Sequence, residues 1–133
     1  VRIAKALNIE ENDLTVKLIR TKIEEGEPVG LDYTYLPYAI CPRFLPEMVD
    51  NDLIYNVLKK HYGIKLKKAK IFLSPAIANA YEAKLLHIEP RSSVFVWERT
   101  TFDHQDTVVE YSKFVMRQDK AKYYLEVSFS ENG

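Results

Sequence analysis

The chain has 133 residues, enough for one domain with a real core, and its 47% apolar content is spread along the whole length, which argues against disorder. Nineteen Lys plus Arg balance nineteen Asp plus Glu, so the formal net charge is zero and the basic excess of a domain that grips nucleic-acid phosphates is missing. No apolar run approaches the roughly 20 residues of a membrane helix, and no basic leader with a small-residue cleavage site is present, so a cytoplasmic protein without membrane contact is expected.

In chain order, residues 2–8 place Ile3, Ala4 and Leu7 on one helical face. Leu14, Val16 and Leu18 alternate with Thr15 and Lys17, the period of a half-buried strand. The turn Glu24-Glu25-Gly26-Glu27-Pro28 leads into a second strand through Val29, Leu31, Tyr33 and Tyr35 that stops at Pro37, and the two make an antiparallel hairpin. An amphipathic helix follows near 52–62, with Ile54, Val57, Leu58 and Tyr62 on one side, a cap from Asn51 or Asp52, and Gly63 at its end. Lys65 to Leu73 reads as a strand, and its local excess of Lys65, Lys67, Lys68 and Lys70 as a strand edge or solvated face.

Ser74-Pro75 looks like a helix start, with a hydroxyl cap and a proline in the first turn. That helix is expected to run to about Leu86 and to pack through Ile77, Ala80, Tyr81 and Leu85. Two strands, Val94 to Phe102 and Val108 to Met116, join through Asp103-His104-Gln105-Asp106, and a closing strand spans Tyr123 to Phe129. The order predicts an α+β domain, an antiparallel sheet with helices on one side.

The sole cysteine, Cys41, lies between Ile40 and Pro42 and reads as a small buried thiol; it excludes a disulfide framework. His61, His87 and His104 have no partner at ligand spacing, so neither a metal nor a cofactor is expected. The opening Val1 suggests a processed or truncated chain.

The informative feature is charge on the wrong face. Leu14, Val16 and Leu18 share a strand face that continues into Arg20 and Lys22. A cation there needs a partner, and Asp32, which shares a face with Thr34 on the second strand, can supply it if the hairpin is tight. Glu110 shares its face with Val108, Ser112, Phe114 and Met116. Each charge alone could be an ordinary strand-end ion pair. Three from three strands describe a concave apolar site with converging polar groups, the pattern of a small-molecule pocket. Arg20 and Lys22 would hold an anionic or hydroxyl-rich part of a ligand, and Asp32 and Glu110 would accept from its hydroxyl or amino groups.

The same residues carry a family resemblance. Leu18-Ile19-Arg20-Thr21-Lys22, Gly26-Glu27-Pro28-Val29 and Thr34-Tyr35-Leu36-Pro37 are followed by Tyr55 to Leu58, Tyr62-Gly63, Ala83 to Ile88 and Val96-Trp97-Glu98-Arg99-Thr100-Thr101. Val109-Glu110-Tyr111-Ser112 and Arg117-Gln118-Asp119-Lys120 complete the set. In this order and spacing, over nearly all 133 residues, they resemble the UTRA domain, the effector-binding half of HutC-type regulators in the GntR family.

The resemblance implies a chorismate-lyase-like fold, an antiparallel sheet with flanking helices. It also implies one effector-binding and dimerisation domain over 1–133, with an N-terminal winged helix-turn-helix absent from this chain through which DNA would be read as a homodimer. The effector would be a sugar, a sugar phosphate or an amino-acid derivative. Family ligand positions fall on Arg20, Lys22, Asp32, Thr34, Leu53, Tyr55, Glu110 and Met116.

Three departures bear on that effector. Lys22 stands where arginine is common, which keeps the charge but loses the bidentate fork. Asp52-Leu53 stands where sugar-phosphate sensors carry a serine or threonine in the first helical turn, and neither residue type occurs from Pro46 to Lys60. An Asp52 carboxylate would repel a phosphate within ~5 Å by about a kcal/mol or more. Met116 replaces a tyrosine and removes a polar contact. A simple hexosamine phosphate in the usual pose is therefore not expected. Two other functions share the fold: an enzyme of the chorismate-lyase kind, and a dimerisation module with a vestigial pocket. The motif order follows the regulators throughout and no catalytic pairing is evident.

Overall fold

The computed structural model describes residues 2–49 and 54–120. A short helix α1 (Arg2–Leu7) precedes a hairpin of β1 (Thr15–Glu24) and β2 (Glu27–Pro37). Helix α2 (Ile54–Tyr62), strand β3 (Leu66–Ile77) and helix α3 (Ala80–Leu86) follow, then β4 (Ser93–Asp103) and β5 (Val108–Arg117). The strands form one antiparallel sheet in the order β1-β2-β5-β4-β3. Asn51, Asp52, Leu53 and the expected closing strand, Tyr123 to Phe129, lie outside the described residues.

The hairpin closes as its turn chemistry requires. Glu25 and Gly26 adopt positive φ (52° and 80°), which a glycine accommodates at little cost. Arg20 thereby falls directly opposite Asp32, and Leu18 opposite Thr34. Gly63, at φ 64°, ends α2. At the β4–β5 turn, the Asp103 side chain accepts from the amides of Gln105 and Thr107, both at 2.9 Å.

Two expectations are corrected. Ser74 and Pro75 do not start a helix. They continue β3, opposite Val96 and Phe95 of β4. The residue before a proline favours extended backbone, and β4 offers a ladder that outweighs the local helix signal. Asn79 is the true cap of α3, accepting from the Glu82 amide at 2.8 Å while Glu82 accepts from the Asn79 amide at 3.0 Å. The later start shifts the buried face to Glu82, Ala83 and Leu86, leaving Ile77 and Tyr81 exposed.

The helices also do not share one side. On β2, Leu31 and Leu36 point to opposite faces. Leu31 packs with Val94, Val96, Val115 and with Ala83 and Leu86 of α3. Leu36 packs with Leu18, Cys41 and with Ile54, Val57 and Leu58 of α2. Each helix has one apolar stripe, and the sheet has two apolar faces to cover. Cys41 is fully buried as expected, and its thiol donates to the Pro37 carbonyl at 3.2 Å.

Candidate ligand site

On the face covered by α2, register alone brings four strands' polar side chains together. Arg20 and Leu18 of β1 stand opposite Asp32 and Thr34 of β2, and Thr34 stands opposite Ser112 of β5. Ser112 and Glu110 stand opposite Arg99 and Thr101 of β4. A row of polar groups thus crosses the sheet at one level, beside the apolar packing of α2.

The hydrogen bonds divide this row into two halves. In the first, Arg20 Nη2 donates to Asp32 Oδ2 at 3.2 Å and Thr34 Oγ1 donates to Asp32 Oδ1 at 3.0 Å. In the second, Glu110 is wholly buried and accepts four bonds. Arg99 Nε (3.3 Å) and Thr101 Oγ1 (2.9 Å) donate to Oε1; Arg99 Nη2 (3.1 Å) and Ser112 Oγ (2.9 Å) donate to Oε2. Thr34 and Ser112 have each committed their single proton to a carboxylate. Their own 3.5 Å contact is therefore packing between halves rather than a bond.

Helix α2 leans one residue onto the row. The Tyr55 hydroxyl lies 3.2 Å from Thr101 Oγ1, whose proton goes to Glu110, so Tyr55 donates. The Arg99 guanidinium sits 4.7 Å from the Tyr55 ring centroid, a cation–π contact. Burial works against the Arg99 charge, but Glu110 and Tyr55 more than offset it and hold the guanidinium above its ordinary pKa.

The two arginines remain the accessible part, with side-chain exposures of 37% for Arg20 and 23% for Arg99. Arg20 Nε is buried with no hydrogen-bond partner, a donor whose burial costs stability until an acceptor arrives. Beyond Arg99 the same face becomes aromatic, with Phe95, Trp97 and Phe114 packed half-buried against buried Val29 and Met116.

Of the expected site residues, Arg20, Asp32, Thr34, Tyr55 and Glu110 meet in this row. Glu110 accepts there from Arg99, Thr101 and Ser112. Lys22 is exposed opposite Gly30, one pleat away. Met116 is fully buried against Val29, and Leu53 lies outside the described residues. Arg99, Thr101 and Ser112 were not among the expected ligand residues. A hollow of about 340 Å³, lined by Ile88, Ser92, Ser93, Arg117, Gln118 and Asp119, shares no residue with the row. Among the described residues no cluster of His, Cys, Asp or Glu suits a metal ion.

Comparison with known proteins decides the family. The family model described as the UTRA domain matches residues 1–122. The chain belongs to the UTRA family. Relatives carrying this UTRA region include the HTH-type transcriptional repressor NagR of Bacillus subtilis, 27% identical over 78% of this chain and 42% of that protein. Another is the HTH-type transcriptional repressor PhnF of Mycolicibacterium smegmatis, 26% identical over 91% of this chain and 49% of that protein. The chain thus spans about half the length of the curated relatives it matches.

Among solved structures, the effector domain of PhnF from Mycobacterium smegmatis superposes with a TM-score of 0.79 at 27% identity, covering 90% of this chain and 73% of that one. The C-terminal domain of Yurk from Bacillus subtilis gives 0.82 at 23% identity over 89% and 81%, a likeness of fold. The UTRA assignment makes this chain homologous to effector-binding domains of GntR-family regulators, and these relatives are regulators rather than enzymes.

Proposed function

We propose that the polar row is the effector site, and that a small metabolite bound across Arg20, Asp32, Thr34, Tyr55 and Arg99 changes DNA binding by a winged helix-turn-helix domain N-terminal to this chain. The observation that carries this is the convergence of two arginine–carboxylate pairs from four strands on one sheet face, with both guanidinium groups left partly open. A fold alone needs no such arrangement, since packed apolar residues would stabilise the sheet as well or better. The full-length protein is read as a cytoplasmic, HutC-type homodimer that touches DNA only through that N-terminal domain. Its relatives' names, HTH-type transcriptional repressors, support the DNA-binding part of this reading. Among the described residues no helix is long and apolar enough to cross a membrane.

Charge balance narrows the effector. Arg20 and Arg99 are matched by Asp32 and Glu110, so the row is neutral before anything binds. A phosphate dianion would compete with both carboxylates, whereas a zwitterion or a hydroxyl-rich neutral molecule can satisfy donors and acceptors together. A thermal-shift screen over sugars, sugar phosphates and amino-acid derivatives tests the reading. At least one neutral or zwitterionic compound is expected to give a saturable shift that Arg20→Ala and Arg99→Lys each remove. Hits whose affinity ignores both substitutions would overturn the site, and a large saturable shift with glucosamine 6-phosphate would overturn the effector class.

A further inference from the structure

Of the three apolar clusters among the described residues, two include residues of a helix. Leu36 packs with α2 and Leu31 with α3, whereas Val29 and Met116 are packed by Phe95, Trp97 and Phe114, all from strands. Phe95, Trp97 and Phe114 stay half-buried. They also point to the side of the polar row. Side chains alternate along a strand, so Phe95 and Trp97 share a face with Arg99, and Phe114 and Met116 share one with Glu110 and Ser112.

Register sets this aromatic shelf directly against the row. Arg20, Asp32, Phe114, Trp97 and Leu73 stand opposite one another across the five strands, and the next level is Leu18, Thr34, Ser112, Arg99 and Ile71. Phe114 is therefore the cross-strand neighbour of Asp32, and Trp97 lies two residues from Arg99, about 7 Å along β4. From Asp32 to Trp97 is two strand spacings, about 10 Å. Charge stops at Asp32. Phe114, Trp97 and Leu73 beyond it carry none, nor do Met116, Phe95 and Pro75 one level further. Leu73, 51% exposed, extends the apolar surface onto β3.

We propose that the effector carries a planar aromatic group, which stacks on Trp97 and Phe95 while a zwitterionic or hydroxyl-rich head holds Arg20 and Arg99. The spacing suits one small molecule, since head and ring need lie only about 7–10 Å apart. Offset or edge-on packing of a ligand ring on indole and phenyl groups contributes beyond the apolar area it buries. A wholly polar effector would gain nothing from the shelf. The unpartnered Arg20 Nε lies at the head end, where an acceptor on the effector would satisfy it. This inference rests on the polar row being the effector site and adds the chemistry of the part the row does not hold.

Trp97 is the sole tryptophan, so its fluorescence reports the shelf directly. Two matched pairs of probes vary only the tail: free phenylalanine against free alanine, and phenyl glucoside against methyl glucoside. In at least one pair the aryl member is expected to bind roughly ten-fold tighter or more by calorimetry, and to change Trp97 emission. Trp97→Leu should erase most of that preference. Phe95→Leu should reduce it with the emission still readable, and Arg20→Ala should weaken both members of the pair alike. Equal affinities within both pairs, or no binding of either aryl probe, would overturn the proposal. A preference that survives Trp97→Leu and Phe95→Leu would overturn the shelf and leave the row standing. An aryl probe that changes Trp97 emission yet ignores Arg20→Ala and Arg99→Lys would instead overturn the row as the head site. Trp97 emission shielded from acrylamide in the ligand-free chain would also sink the shelf, because protein would already cover the ring.

Discussion

Arg99 reaches diagonally across the β4–β5 ladder, past its directly opposite neighbour Ser112, to clasp the fully buried Glu110 with two nitrogens at 3.3 and 3.1 Å. The clasp makes a buried carboxylate tolerable and holds the guanidinium against the Tyr55 ring.

Removing one partner should therefore cost far more than removing both. Arg99→Met leaves a buried carboxylate short of its strongest donor and is expected to lower stability by about 3–5 kcal/mol. Arg99→Met combined with Glu110→Leu should recover a large part of that loss. Urea denaturation of the two single variants and the double variant measures the coupling. A cost below about 1 kcal/mol for Arg99→Met would mean that solvent already screens the pair.

Alkali should act on Cys41. Burial pushes its thiol up to about 11 from the ordinary 9.0. The folded state keeps the neutral thiol, so this contribution is whole below pH 9 and disappears as the pH rises from 9 to 11. Between those values the parent should lose stability faster than Cys41→Ala. Tyr33 and Tyr111, whose hydroxyls burial also pushes up, titrate in both chains and cancel. Chemical denaturation at pH 8, 9.5 and 11 gives the comparison, and parallel slopes for the two chains would contradict it.

Gly30 is required by its neighbour rather than by its backbone. A Cβ there would lie 2.6 Å from Phe114 Cζ, inside the ring's contact distance. Gly30→Ala should cost about 1–3 kcal/mol by overpacking. Phe114→Ala in the same chain removes the clash, so the two effects should combine to less than their sum. Thermal melts of the singles and the double test this, and strict additivity would count against the contact.

Asn79 is expected to matter more than its exposed position suggests. Its side chain caps α3, and the reciprocal partner Glu82 also accepts from the Tyr33 hydroxyl at 3.2 Å, tying the helix to β2. Asn79→Ala should cost about 1 kcal/mol and Asn79→Ser much less. Guanidinium titration distinguishes them; equal losses would mean that the hydroxyl cannot replace the amide oxygen.

Much of the site can be read in the primary sequence because it follows from short-range rules. A tight hairpin with period-two side chains already sets Arg20 toward Asp32 and aligns Thr34 beside it. The family motifs likewise point to Tyr55 and Glu110. Arg99, Thr101 and Ser112 are harder to see. On β4 both faces mix apolar and polar residues, Val94-Val96-Glu98-Thr100 against Phe95-Trp97-Arg99-Thr101, so alternation does not reveal which set meets the row. The signal available was Ser112 sharing a face with Glu110, which calls for donors on the neighbouring strand.

The residue order by itself settled which side chains share a face, where the hairpin turns and where the charges break an apolar stripe, because periodicity and turn chemistry act over a few residues. Tertiary structure alone decided that Pro75 stays in a strand, that helices cover both faces, and that Arg99, Thr101 and Ser112 converge on Glu110. Those outcomes depend on pairing between strands distant in the chain, where register and competition for buried donors outweigh local preference.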